Sequence, residues 1–180
     1  GVHGPLLTTL SQEPDWSTQR LFNWVEQHTL APLPGDSWVS GTATGKLLPA
    51  NLTVATCLLG TCHTPDLAGA ILAFEDVTEA PYRLDRMLTH WRMLGKFDHI
   101  AGIALGRFSP GEPPAKGPSV SAVVGVPGRW GDLGGPGVAR RPFGHDGDNA
   151  ALPFGVTATI EAHTDGAGLL SFPDHGPKTA

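Results

Sequence analysis

Two apolar runs with a helical pattern between them constrain the fold of this chain more than any other feature. Residues 70–74 (AILAF) and 100–106 (IAGIALG) have no polar interruption, so each predicts a strand that is covered on both faces. Between them, Pro81 suits the first turn of a helix whose apolar residues keep helical spacing until Gly95. A strand, a helix and a second strand in this order predict a right-handed crossover with two parallel strands.

The other elements are predicted from shorter patterns. Leu21, Trp24 and Val25 have the spacing of one buried face in a helix that begins at Pro14, and Asn51 can cap a short second helix. Further expected elements are an edge-like strand at 37–48, a Pro/Gly-rich loop at 107–118, a weak helix at 119–133, a short strand at 136–141, and a hairpin of 156–162 and 169–172 that turns at Asp165-Gly166. Together these patterns predict an α/β fold: a mostly parallel sheet flanked by helices, with a terminal β-hairpin.

Charge and cysteine content exclude several classes of function. The formal net charge is −5, and the 12 Lys and Arg residues form no cluster, so we expect no nucleic-acid partner. No stretch approaches the ~20 apolar residues that a membrane span requires, so we expect no membrane segment. Cys57 and Cys62 match neither a C-x-x-C redox pair nor a zinc site. We interpret them as free thiols in a reducing compartment, which favours the cytoplasm.

Glu75 and His145 are the residues whose positions best suit catalysis. Glu75 follows the most buried predicted strand, and the carboxyl ends of strands in α/β sheets collect functional groups. An alternative interpretation, about equally favoured by the pattern, is that Glu75 and Asp76 solvate the strand end and place negative charge at the next helix N-terminus. His145 lies in the loop HDGDN, where its ring is free to act as a general base, although most of the eight histidines should be surface residues.

Two other groups of residues suit a substrate site or a metal site less specifically. Arg83 and Arg86 lie in the first turns of the helix after Glu75, where they can hold a substrate carboxylate; a solvated helix face is the alternative. Asp146, Asp148 and Asn149 resemble a calcium loop only faintly, because the other ligands of an EF-hand are absent. We therefore expect no metal. No serine occupies a G-x-S-x-G turn, so the chain presents an acid and a base without an evident nucleophile.

Four blocks in order carry a resemblance to a known family: FEDVTEAPYRLDRMLTHWR, IAGIALGRFS, GRWGDL and RPFGHDGDNAALPFGV. Together they resemble the C-terminal half of the LD-carboxypeptidases, a group of serine peptidases, from Gly4-Pro5 to about Ile160. The resemblance implies that residues 1–35 are an inter-domain connection with one helix and that residues 36–180 are the C-terminal α/β catalytic half-domain. It also implies that a Rossmann-like domain upstream of Gly1 carries the serine in a Gly-x-Ser-Asp turn, and that the protein is a homodimer.

The resemblance further implies a reaction and the residues for it. The reaction is hydrolysis of the amide before a terminal D-residue, as in removal of D-alanine from murein tetrapeptides during cell-wall recycling. His145 would take the serine proton and Glu75 would orient the imidazole, with no metal or organic cofactor. Apart from what the resemblance implies, we expect Asn51, Arg83 and Arg86 to bind substrate. The pair Pro49-Ala50 departs from the family, in which two glycines commonly precede Asn-Leu, and would stiffen a turn there.

Two alternatives remain open. A microcin C self-immunity peptidase shares the fold and triad of the LD-carboxypeptidases but cleaves an acylated aminoacyl-nucleotide amide. A non-catalytic binding or regulatory domain would keep the fold after loss of the nucleophile half. The sequence alone does not separate these from a murein peptidase.

Overall fold

The structure is a computed structural model that describes residues 1–109, 135–145 and 147–173. Its elements in chain order are β1 (Val2–His3), a 3-10 turn (Leu10–Gln12), α1 (Asp15–Phe22), a π-helical turn (Asn23–Gln27), β2 (Leu33–Val39), β3 (Gly41–Asn51), α2 (Leu52–Leu58), β4 (Ala70–Val77), α3 (Pro81–Met93), β5 (Gly102–Ser109), β6 (Gly137–Ala139), β7 (Leu152–Pro153), β8 (Thr157–Ala162) and β9 (Ala167–Ser171). The predicted helix at 119–133 lies outside the described residues.

Seven of these strands form a closed barrel in the order β2-β6-β5-β4-β3-β8-β9, with β9 pairing again with β2. The pairs β3–β4, β4–β5 and β5–β6 are parallel, as the crossover pattern predicted for β4 and β5. The other four pairs of the barrel are antiparallel. The prediction of a mostly parallel sheet was therefore wrong, although the fold is α/β.

The error comes from residues 33–51, of which residues 37–48 were predicted as one edge-like strand. They form two strands, β2 and β3, that are separated at Ser40, and the φ of the next residue, Gly41, is +144°. The strand β3 is not at an edge, because it pairs with β4 on one side and with β8 on the other. The terminal hairpin of β8 and β9 is confirmed, and it closes the barrel between β3 and β2. A hairpin signal reports only the pairing within the hairpin, so this closure could not be inferred locally.

The core has two parts, which lie on opposite faces of β4. Ile71 and Ala73 pack with side chains from β3, β8 and β9, whereas Leu72 and Phe74 pack with the apolar faces of α2 and α3. This alternation follows from the two-residue period of a strand. Both faces of β4 are therefore covered, as its uninterrupted apolar sequence predicted. Continuing the alternation, Glu75 falls on the face of Ile71 and Ala73.

A buried arginine joins strands at the closure of the barrel. Arg141 follows β6, is fully buried, and donates to the carbonyl oxygens of Leu33 at 2.5 Å and Gly168 at 3.0 Å. Burial lowers the pKa of Arg141 to about 10, against a smaller opposing effect of Asp36, so the side chain remains a cation at neutral pH. These bonds fix the chain directly before the segment that carries His145.

Three smaller differences from the sequence analysis concern single segments. The helix after Pro14 buries Ser17 and Arg20, and Arg20 can be buried because its guanidinium bonds to main-chain carbonyl oxygens. Val25, which was predicted to lie on the buried face, is exposed. The strand β5 extends to Ser109, into the predicted loop. Cys57 and Cys62 are free, as predicted, and both are exposed. In the described part of the chain, no helix is both long enough and apolar enough to span a membrane.

Candidate active site

Glu75 and His145 are in direct contact. The Nδ1 atom of His145 lies 2.8 Å from Oε2 of Glu75, although the two residues are 70 positions apart in the chain. The Glu75 side chain is fully buried, whereas that of His145 is 44% exposed. Asp76 is also buried. The interpretation that Glu75 and Asp76 merely solvate the strand end is therefore wrong, and the expected meeting of acid and imidazole is confirmed.

The β5 strand brings His145 to the end of β4. Between the pairs Phe74–Leu105 and Asp76–Phe108 the strand β5 has one residue more than β4, which is a β-bulge opposite Glu75. At the bulge, the Arg107 N–H donates to the Phe143 carbonyl at 2.8 Å. The chain after β6 thus stays beside β5 up to Phe143, and His145 follows two residues later.

Gly144 permits this close approach. Its φ is +124°, a conformation that favours glycine. A Cβ atom at position 144 would lie 3.3 Å from Cβ of Glu75 and 3.3 Å from Cβ of Arg107. A side chain here would crowd both Glu75 and Arg107 and would strain the backbone, so glycine is favoured next to His145.

The loop after His145 is anchored by β5 and α1. The Arg107 guanidinium donates to Oδ2 of Asp148 at 3.1 Å and to the carbonyl of Gly147, and Trp16 donates to Oδ1 of Asp148 at 3.2 Å. Asn149 accepts from the Gly144 N–H at 3.1 Å. The polar side chains of Asp148 and Asn149, which gave this segment its resemblance to a calcium loop, therefore form hydrogen bonds within the protein.

A second set of bonds, from α1 and from Glu13 just before it, holds the main chain of the same loop. Ser17 is buried, and its hydroxyl lies 2.7 Å from the Asn149 carbonyl and 2.8 Å from Oε2 of Glu13. The same Glu13 oxygen accepts from the Asn149 N–H at 3.1 Å. The two contacts with Asn149 cross more than 130 positions of sequence. They make α1 a support for the His145 loop.

Glu75 is ionised at neutral pH. Burial is the largest influence and raises its pKa, but contacts with His3 and His145 outweigh burial, so the pKa lies below the ordinary value. An ionised carboxylate can only accept, so the Nδ1 atom of His145 carries the proton in this contact. The lone pair is then on Nε2, which makes that nitrogen the one able to act as a base.

Asn51 and Asp76 form a separate network at the end of β3. Asn51 caps α2 by accepting from the Val54 N–H at 3.0 Å, and its side-chain amide donates to Asp76 at 2.9 Å. Asp76 also accepts from the N–H and the hydroxyl of Thr53, at 2.9 and 2.8 Å. The predicted cap is confirmed, and both ends of the Asn51 amide have partners within the protein.

Pro49 and Ala50, which were expected to stiffen a turn, continue β3 instead. They pair with Ala73 and Phe74 of β4. The departure from the family pattern therefore lies within regular sheet, immediately before Asn51.

Arg83 and Arg86 lie on α3 and contact other residues. Arg83 is 55% exposed and lies 3.7 Å from Glu79, and Arg86 lies over the Tyr82 ring at 5.7 Å from its centroid. Among the described residues, these contacts do not include Glu75 or His145. The structure thus brings the predicted acid and base together and leaves the two arginines on the helix surface.

Sequence reasoning missed His3, Arg107 and the residues in and just before α1 that support the loop. His3 lies 3.5 Å from the other oxygen of Glu75. The only local signal for it is its place directly before Gly4-Pro5, where the resemblance begins. The supports Glu13, Trp16 and Ser17 carry no motif, because a bond across the whole chain leaves no periodic trace in sequence.

Comparison with known proteins identifies related chains. The model of the LD-carboxypeptidase C-terminal domain matches residues 44–160. A provisionally named carboxypeptidase of Synechocystis sp. is 54% identical over 171 residues, which cover 95% of this chain and 56% of that relative. The crystal structure of muramoyltetrapeptide carboxypeptidase from Oxalobacter formigenes has a TM-score of 0.80 at 25% identity and covers 96% of this chain and 62% of that one.

A further solved structure shows likeness of fold alone. The microcin C7 self immunity protein MccF, in the apo state of an inactive mutant, has a TM-score of 0.74 at 16% identity and covers 96% of this chain and 61% of that one. The chain spans about half the length of the curated relatives that it matches.

Proposed function

This chain belongs to the LD-carboxypeptidase family, and we propose that it supplies the glutamate and histidine of a serine peptidase whose nucleophile lies in an upstream domain. The observation that carries the proposal is the 2.8 Å contact between Nδ1 of His145 and the buried carboxylate of Glu75. An acid that holds the imidazole at Nδ1 and leaves Nε2 as the base is the arrangement that serine hydrolases use.

In the proposed reaction, the serine attacks the amide carbonyl before a terminal D-amino acid. Nε2 of His145 removes the serine proton and then returns it to the leaving amine. Glu75 stays ionised throughout, keeps the proton on Nδ1 and stabilises the imidazolium. Water then attacks the acyl-enzyme with the same histidine as base. The proposed substrate is a murein tetrapeptide, which would lose D-alanine to give a tripeptide, as the name of the Oxalobacter relative suggests.

The proposal includes the organisation of the whole protein. Residues 1–35 would contain the connection to the nucleophile domain, and residues 36–180 would form the catalytic half-domain. The complete protein would be a cytoplasmic homodimer that acts in cell-wall recycling. The isolated chain, whose sequence contains no G-x-S-x-G motif, would not turn over substrate.

The test uses the complete protein and measures release of D-alanine from a murein tetrapeptide. We expect Glu75→Gln and His145→Ala to lower turnover about 10⁴-fold while the fold is retained, because each removes a member of a triad. Glu26→Gln and His163→Ala are matched controls, since both side chains are exposed and lie outside the site. Near-normal turnover in either triad variant would contradict the assigned roles.

The fold shared with MccF supports a second candidate, a peptidase that cleaves an acylated aminoacyl-nucleotide amide. Turnover of an aminoacyl sulfamoyl-adenosine, with none of the tetrapeptide, would favour this candidate. Failure of the complete protein on both substrates would favour a non-catalytic binding domain instead.

Asn51, Arg83 and Arg86 stay predicted substrate-binding residues. If the exposed Arg83 guanidinium holds a substrate carboxylate, Arg83→Gln should raise KM with little change in kcat. An unchanged KM in both Arg83→Gln and Arg86→Gln would remove the two arginines from the proposed site.

A further inference from the structure

The carboxylate of Glu75 has a second oxygen whose environment the triad does not explain. Oε2 contacts His145, but Oε1 is fully buried and has no hydrogen-bond partner of ordinary geometry in the described residues. Leaving a buried carboxylate oxygen without compensation is costly. The group that faces Oε1 is the His3 imidazole, whose Nε2 lies 3.5 Å away.

His3 is held there by strand pairing rather than by chance packing. Its strand, β1, pairs antiparallel with β7, with His3 opposite Leu152. The Phe154 N–H donates to the Gly1 carbonyl at 2.9 Å, and Gly4 lies so close to Ala151 that a Cβ would be 3.0 Å from its Cα. The His3 side chain is 23% exposed. The strand β7 comes shortly after the His145 loop, so one stretch of chain supports both imidazoles that face Glu75.

We propose that His3 is a positioning residue that fixes the rotation of the Glu75 carboxylate, so that Oε2 is presented to Nδ1 of His145. The inference rests on the proposed function, because it concerns the acid of the proposed triad. A carboxylate held at one oxygen only can rotate about its terminal torsion, which has a broad energy minimum. A donor at each oxygen fixes the plane of the group.

The distance between His3 and Oε1 of Glu75 fits a hydrogen bond that shortens when the complete active site forms. At 3.5 Å the His3 contact exceeds the 2.7–3.2 Å of an ordinary N–H···O bond, whereas the His145 contact at 2.8 Å does not. Hydrogen bonds of catalytic groups are often long in a free site and shorten in the complex. His3 also adds to the electrostatic stabilisation of ionised Glu75, which keeps the acid able to accept from His145.

Two variants of the complete protein distinguish the loss of the His3 hydrogen-bond donor from the loss of its side-chain volume. His3→Leu keeps a side chain of moderate size but removes the donor. We expect kcat on the tetrapeptide to fall about 10- to 100-fold with little change in KM. His3→Gln offers an amide N–H toward Oε1, and we expect it to recover most of kcat. His99→Leu is the matched control, because His99 is exposed and its carbonyl bonds to Gly69 at the opposite end of β4 from Glu75.

A second measurement does not depend on turnover. NMR of histidine-labelled complete protein reports the Nδ1 proton of His145, which should resonate far downfield when it is bonded to a carboxylate. We expect this resonance to move upfield or broaden in His3→Leu and to return in His3→Gln. Unmodified protein that releases no D-alanine would overturn the proposed function. A His3→Leu variant with unchanged kcat and an unchanged His145 resonance would overturn the role of His3 alone.

Discussion

The contact between Gly106 and Phe143 provides a sharp test of how the structure places His145. Gly106 lies at the β5 bulge, and a Cβ added there would be 2.5 Å from two ring carbons and from the carbonyl oxygen of Phe143. Ordinary contact for a Cβ begins at 3.4 Å, so in Gly106→Ala the strand β5 and Phe143 must separate by about 0.9 Å, and we expect Phe143 to move. His145 follows two residues later and should move with it, away from Glu75.

This displacement has an expected cost in both stability and activity. Forcing a methyl group into a filled core costs about 1–3 kcal/mol, and each kcal/mol lowers the melting temperature by about 2–4 °C in a chain of this size. A shift of about 1 Å in a catalytic group costs about 100-fold in turnover. Thermal unfolding of the chain tests the first value, and D-alanine release by the complete protein tests the second.

Gly137→Ala is the matched control for this experiment. Gly137 lies on the neighbouring strand β6, and a Cβ there would lie 3.5 Å from Ile103, at ordinary contact distance. We expect this variant to unfold close to the temperature of the unmodified chain and to keep its turnover. If Gly106→Ala and Gly137→Ala behave alike, the contact of Phe143 with β5 does not determine the position of His145.

Three further predictions concern groups around the site. Asn51→Ala removes the cap of α2 and a donor to Asp76, so it should cost about 0.5–2 kcal/mol in chemical denaturation; no loss would mean that neither bond stabilises the fold. Ser17→Ala should cost about 1 kcal/mol and loosen the Asn149 main chain, with faster amide hydrogen exchange in that loop as the readout. Glu75 has a pKa below its ordinary 4.5, so its stabilising effect is present above pH 4.5 and is lost as the pH falls through the lower pKa of the folded state. Melting temperatures measured across this range should therefore fall less for Glu75→Gln than for the unmodified chain, and parallel curves would contradict the assigned pKa shift.

The parts of the fold that could be predicted are those set by contacts near in sequence. The uninterrupted apolar runs of β4 and β5 gave two adjacent parallel strands, and the spacing after Pro81 gave α3, because periodicity directly reflects which faces are buried. The hairpin of β8 and β9 was found for the same reason. The closure of the barrel was missed, because nothing within residues 33–51 indicates that β3 pairs with β8.

In the candidate site, too, only the residues with a local sequence signal could be predicted. Glu75 could be proposed from its place at the end of a buried strand, but His145 stood out from the other histidines mainly through the resemblance to a family. The bond between Trp16 and Asp148 spans 132 positions, and no pattern within α1 predicts it. The exposure of Val25 shows the converse error, in which helical spacing was interpreted as a buried face that the tertiary structure does not use.

The supports of His145 matter more here than in a site contained in one domain. If the serine comes from another domain, this chain has to hold Glu75 and His145 in the correct relative position by itself. An imidazole that must be repositioned when the two domains associate would add an energetic cost. The structure meets this requirement with supports from distant segments: Arg107 of β5 and Trp16 of α1 both hold Asp148, and the Gly144 N–H is bonded to Asn149. Since these bonds lie within the described residues of one chain, we expect the Glu75–His145 contact to persist without the proposed nucleophile domain.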